Sequence, residues 1–272
     1  MGDLNGARPH ALALRDLVER RSTQRQDASQ AIWPMVFISC LEGDWKAGRL
    51  YNDRGLELSL SNPFHLYFRA LLEHETGEFA QGEVYLERLL ENKPQNWGLS
   101  MAPIAITAIA RITDVPDRLE MAGAAAEAAL SARPWAPFSI VLITVGLALL
   151  AVQNGDQSAA KEHYSYLLGQ RSTMTWAISV DRLLGLLSQA MGNVDQATIH
   201  FEDALTLCRK AGCRPELAWT CCDYADTLRE RGNDGDKEQA VALFDESLTI
   251  SSDLGMRPLM ERVLSRREIL KA

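Results

Sequence analysis

The sequence is poor in several features that mark common protein classes. It has only five cysteines in 272 residues, Cys40, Cys208, Cys213, Cys221 and Cys222. An odd number in a chain of this length excludes a complete disulfide framework and points to a reduced, cytoplasmic protein. Positive charge is in deficit, with 28 Lys and Arg against 36 Asp and Glu and a net charge of −8. Phosphate backbones and anionic lipid surfaces call for a basic face, so neither nucleic acid nor membrane is expected as a partner. The opening residues MGDLNGARPH are polar, so no secretory leader is expected. No stretch alternates polar with apolar residues over a strand length. No G-x-x-x-x-G-K-[ST] phosphate loop is present, which excludes an NTPase site of that kind. Only one long apolar run occurs, residues 136–152 (APFSIVLITVGLALLAV). It is marginal for a membrane span, which takes about 20 residues. It also ends in the turn Gln153-Asn154-Gly155-Asp156, so a buried inner helix is the better reading.

What the chain does have is a repeat. Residues 191–210 read MGNVDQATIHFEDALTLCRK, with small residues Ala197 and Ala204 behind a turn glycine. Earlier copies open at Gly43-Asp44-Trp45 and Gly77-Glu78-Phe79, and 77 − 43 = 34. Trp45 with Phe79, Gly48 with Gly82, Tyr51 with Tyr85 and Glu57 with Glu91 keep the same register. The period and the small packing positions resemble the tetratricopeptide repeat, TPR. That resemblance implies an all-α fold: a right-handed superhelix of about six helical hairpins with a capping helix at each end. First helices would line the concave face and second helices the convex face.

In chain order, residues 8–24 are expected to form the N-terminal capping helix, followed by a polar link, Ser22 to Gln30. Repeats are expected at 29–62, 63–95, 97–134, 135–170, 172–211 and 214–252, and a C-terminal capping helix at 256–270. Pro34 and Pro63 are placed near helix starts, where a missing N–H is tolerated. Ala70 and Gly185, each seven residues before a turn glycine, supply small side chains where two helices cross. The third repeat is degenerate. Residues 113–117 replace its glycine turn, Pro116 opens the next helix, and Arg133-Pro134 ends it. Three extra residues, 233–235, lengthen the turn of the sixth repeat.

Residues 173–264 carry more than a generic repeat. They read Val180-Asp181-Arg182-Leu183-Leu184-Gly185, Met191-Gly192-Asn193, His200-Phe201-Glu202-Asp203-Ala204-Leu205, Ala211-Gly212-Cys213-Arg214-Pro215, Asp223-Tyr224-Ala225 and Leu254-Gly255-Met256-Arg257-Pro258-Leu259. This third of the chain resembles the C-terminal TPR region of large bacterial signalling proteins that carry an AAA-type ATPase module. Some of those add an adenylyl cyclase domain, others a LuxR-type DNA-binding domain. The chain has no cyclase core and no terminal helix-turn-helix. The resemblance therefore implies the sensing and assembly module rather than the output enzyme.

Counting back from the turn glycines puts Trp33, Phe37, Tyr67 and Leu71 on the concave face, with Arg182 further along. Apolar and aromatic side chains there suit an amphipathic helix or an extended hydrophobic peptide; the competing reading is that neighbouring helices bury them. No Lys and Asn pattern for clamping a terminal carboxylate is present. Asp181, Arg182, Asp223, Asp226 and Arg229 are candidates for a polar stripe that selects a charged group, or for mutually paired charges. The cysteine spacing with His200 does not match a zinc ligand set, so no metal and no cofactor is expected. None of the five histidines has a nucleophile or carboxylate partner in a recognisable motif, so no catalytic residue is expected. His74, between Glu73 and Glu75, reads as an exposed helix end. The functional expectation is a non-enzymatic scaffold that binds a protein or peptide, as a regulatory module in bacterial signal transduction. The alternative is a sensor with a small molecule in the superhelix lumen, and behind it an α-helical enzyme. Homo-oligomerisation stays open.

Overall fold

A glycine in the left-handed region ends the first helix of the first hairpin. Gly43 has φ 81°, and its N–H reaches back to Cys40 O at 3.3 Å. Only glycine holds that conformation without steric cost. The next residue caps the following helix, because Asp44 Oδ1 accepts the Ala47 N–H at 3.0 Å and satisfies one of its free donors. Asp156 does the same for Ala159 at 3.0 Å in a later hairpin.

The computed structural model describes residues 4–21, 24–91, 97–115, 118–132, 136–176 and 178–271. Helix α1 (Leu4–Arg21) leads into hairpins α2 (Arg25–Glu42) with α3 (Trp45–Leu58) and α4 (Pro63–Glu75) with α5 (Phe79–Glu91). Next come α6 (Trp97–Thr113) with α7 (Arg118–Ser131), and α8 (Pro137–Asn154) with α9 (Gln157–Leu167). The last hairpins are α10 (Val180–Ala190) with α11 (Val194–Ala211), and α12 (Arg214–Arg231) with α13 (Asp236–Leu254); α14 (Arg257–Lys271) closes the chain. Among the described residues no strand forms; there is one isolated bridge, Met174 to Ser179. The fold is an all-α solenoid.

The chain departs from the expected local layout in three places. Helix α1 begins at Leu4 and ends at Arg21, and α2 already begins at Arg25, inside the stretch read as a link. Pro34 therefore lies in the middle of α2. Pro116, Asp117, Arg133 and Pro134 fall outside the described residues. His74 is not an exposed helix end. It is fully buried, with Nδ1 on Ala70 O at 2.7 Å and Nε2 on Glu83 at 2.7 Å. The room comes from Gly82 on the facing helix, where a Cβ would stand 2.4 Å from His74 Nδ1. Helix α8 is long and apolar enough to cross a membrane by length and composition. Here its Leu142, Ile143, Val145, Ala148 and Leu149 are buried, and it packs against α6, α7, α9 and α10. The long turn before α13 is pinned by Asp236, whose carboxylate accepts from Asn233 N–H at 2.9 Å and pairs with Arg231.

The solenoid curls until its ends meet. Helix α12 packs on α2, and α14 packs on α4 and α6. Trp45 Nε1 donates to Leu254 O at 2.8 Å, and Arg257 reaches Thr76 O at 3.0 Å and Glu78 at 2.6 Å. A segment outside the hairpin pattern, between α9 and α10, adds a plug. It starts with a 3-10 turn, Leu168–Gln170, passes through Ser172 at φ 58°, and inserts Trp176 among the inner helices. The Trp176 ring lies 5.2–6.2 Å from those of Phe138, Phe64, Tyr67, Phe68 and Trp33. Aromatic contacts at these separations add stability beyond the buried area itself.

Candidate functional site

Closure leaves little space inside the ring. One cavity of about 50 Å³ is bounded by Phe37, Leu71, Glu75, Trp176, Glu216 and Trp219. A second, of about 20 Å³, is bounded by Glu75, Arg111, Arg182 and Trp219. A water molecule needs roughly 10–15 Å³ of such space, so these two cavities of the lumen have room for a few water-sized groups only.

Its polar wall is a buried charge network built by helices far apart in sequence. Arg182, on α10, pairs with Glu216 at 2.9 Å and Asp223 at 3.1 Å, both on α12. Asp223 also takes Arg111 from α6, and Arg262 from α14 donates to Arg111 O. Trp219 Nε1 donates to both oxygens of Glu75, at 3.1 and 3.0 Å, and the Arg262 and Arg182 guanidinium groups lie 5.2 and 5.9 Å from the Trp219 ring. The two partners of the main ion pair respond differently. Burial lifts the Glu216 carboxyl above its ordinary range despite Arg182. The Arg182 guanidinium, although burial opposes it, is held more firmly protonated by the Glu216 and Asp223 charges. A guanidinium does not deprotonate in proteins, and two acids share this one, so the pair is ionised.

Glu75 is the exception in this network. Burial pushes its carboxyl up to about 7 from 4.5, against the Trp219 hydrogen bond and the Arg182 and Arg262 charges, with Glu216 adding repulsion. A carboxyl whose folded-state pKa is raised weakens the fold as it ionises. The penalty is absent well below 4.5 and complete above about 7. Glu75→Gln keeps an oxygen for Trp219 and removes the charge. At pH 8 it is expected to raise stability by at most about 3 kcal/mol, and at pH 4 to change little. Thermal melts of both proteins at the two pH values check this. An equal difference at both would contradict it.

The structure does not bring the expected site residues to one groove. Tyr67 is fully buried against Phe68. Arg182 is consumed by the lumen network. Asp181 is buried on another side of α10, accepting the Ser172 N–H at 2.8 Å. Asp226 is half-buried and paired with Arg229 at 2.7 Å and Arg266 at 3.4 Å. Leu71 faces the two small cavities. Of the set, only Trp33 and Phe37 border a sizeable space. That space is a cleft of about 420 Å³ between α1, α2, the Trp176 segment and the junction of α11 with α12. Leu4, Ala7, Leu14, Met174, Leu207 and Ala211 complete much of its apolar wall, and His10 is its one titratable imidazole.

Sequence reasoning missed Glu75, Trp219, Arg111 and Trp176. They meet partners up to 151 positions away, as Arg111 meets Arg262, and no local pattern marks them. The N-terminal helix was expected only as a cap, whereas its Leu4, Ala7 and Leu14 help to line a cleft.

No protein-family model matches this chain, and no curated protein matches it. Among solved structures it is similar to a tetratricopeptide repeat protein from Parabacteroides merdae, with a TM-score of 0.51 and 15% identity over 93% of this chain and 91% of that one. The likeness is one of fold: both are all-α repeat solenoids.

Proposed function

We propose that this chain is a non-enzymatic protein-binding scaffold that receives its partner in the apolar cleft under α1. The carrying observation is the cleft itself, about 420 Å³ with an almost wholly apolar lining. That is the size and character of a recognition pocket. The occupant that suits it is an amphipathic helix or an extended hydrophobic peptide, presenting two or three apolar side chains. The closed ring behind the cleft holds its side chains in packed positions, so little ordering entropy would be lost on binding. The resemblance of residues 173–264 to repeat regions of bacterial signalling ATPases supports a regulatory role in signal transduction. Five free cysteines support a cytoplasmic setting.

The test starts with proteins captured by the full chain from a bacterial lysate, identified, and titrated back against variants. Leu14→Asp and Leu207→Asp, which place charge in the cleft, are expected to weaken binding at least ten-fold with the helical circular dichroism unchanged. Leu50→Asp, on α3, outside the cleft lining and 67% exposed, is expected to bind as the wild type. Equal affinity of all three variants would remove the cleft as the binding surface.

A further inference from the structure

Two buried polar atoms at one place in the fold lack a hydrogen-bond partner, Asp181 Oδ1 and His200 Nδ1. Both residues are 1% exposed. A buried polar atom left unpaired costs about 1–3 kcal/mol, and here two occur together, beside a second carboxylate. Asp181 stands in the first turn of α10. His200 and Asp203 lie three residues apart on α11, hence on one helix face. One donor atom from each of Asp181, His200 and Asp203 lies within 4.8 Å of the others.

We propose that Asp181, His200 and Asp203 form a binding site for a divalent transition-metal ion, zinc fitting best, and that Arg171 occupies it when no metal is bound. One imidazole and two carboxylates are a zinc ligand set, with a fourth position left for water. Zinc–ligand bonds of about 2.0–2.2 Å would draw the three side chains together by roughly 1 Å. The surrounding contacts suit ligands held in place. His200 Nε2 meets Tyr164 Oη at 2.9 Å, and with the ring proton on Nε2 donated to that oxygen Nδ1 is the open nitrogen; the Gln196 amide, whose nitrogen stands 3.2 Å from Nε2, must then turn its oxygen toward the ring. Asp181 Oδ2 accepts the Ser172 N–H, which leaves Oδ1 open. Such outer contacts orient metal ligands and fix the histidine tautomer.

The resident cation explains why the site is not simply unstable. Arg171 pairs with Asp203, and its Nε stands 3.6 Å from Asp181 Oδ1. One guanidinium balances only one of the two carboxylates and does nothing for the imidazole nitrogen. Its side chain is 45% exposed, so it can swing into solvent when a dication arrives. Bound metal would then tie α10 directly to α11. The thiols are weak competitors, because burial raises all five, Cys40 and Cys213 to about 12.

The test is calorimetric titration of the full chain with zinc chloride, backed by the visible d–d spectrum with cobalt. The wild type is expected to bind one zinc per chain, and Arg171→Ala to bind it at least five-fold more tightly, since the competing cation is gone. Asp181→Asn and His200→Gln, with unchanged circular dichroism, are expected to lose binding and the cobalt band. No uptake by either the wild type or Arg171→Ala would overturn the proposal. So would uptake that persists unchanged in Asp181→Asn and His200→Gln.

Discussion

Arg182→Met is expected to destabilise the protein by about 3 kcal/mol or more, the range found when one member of a buried ion pair is removed. The side chain is 5% exposed, and its partners Glu216 and Asp223 are 6% and 5% exposed. Methionine fills similar volume but leaves two carboxylates facing a cavity too small to hydrate them well. Each keeps one support: the Ser179 N–H donates to Glu216 at 2.7 Å, and Arg111 stays with Asp223. The loss is therefore placed at the low end of the range, roughly a 6–12 °C drop in melting temperature. Urea and thermal unfolding measure it. Arg209→Met removes a surface pair with Glu246, at 49% and 35% exposure, and is expected to cost under about 0.5 kcal/mol. Similar losses for the two variants would mean that the lumen network does not hold the ring closed. A second substitution, Glu216→Gln on the Arg182→Met background, is expected to recover part of the loss, because it removes an unpaired buried charge.

The second large effect is expected at Gly146, where α8 crosses α6. A Cβ there would stand 2.7 Å from Ile104 N and 2.8 Å from the Pro103 carbonyl carbon, both backbone atoms. A side-chain tip can rotate away from such a contact, but a helix backbone must move as a body. Gly146→Ala is expected to cost about 2–3 kcal/mol through overpacking, although alanine is the better helix former by about 1 kcal/mol. Gly123→Ala on α7 meets only Leu150 Cδ2, at 3.9 Å, and is expected to stabilise by about 0.5–1 kcal/mol. The same substitution thus has opposite signs at two helical glycines. Chemical denaturation of both variants decides the point; a neutral Gly146→Ala would show that α6 and α8 can part without loss.

The hairpins were legible because their determinants are local. Gly43 and Gly77 stand 34 residues apart in turns of positive φ, φ 81° and 78°, and a small residue at Gly185 lets Phe201 approach to 2.9 Å of a would-be Cβ. The candidate site was far less legible. Trp33 and Phe37 border the apolar cleft, but Tyr67, at a repeat position equivalent to Trp33, is fully buried, and Arg182, at the same position, is paired in the lumen network. Position within a repeat says which way a side chain points, and the rest of the ring says what it meets there. Asp181, His200 and Asp203 likewise share no motif spacing; a fold in which α10 runs back along α11 puts them together.

By itself, then, the sequence determined the all-α class, the hairpin period and the small residues at helix crossings. Each depends on interactions within a few dozen residues. Whether the concave face is a groove or a filled core was decided only by the tertiary structure. That outcome depends on small rotations summed over six hairpins, and on contacts such as Trp45 with Leu254, 209 positions apart. No local pattern encodes such a sum.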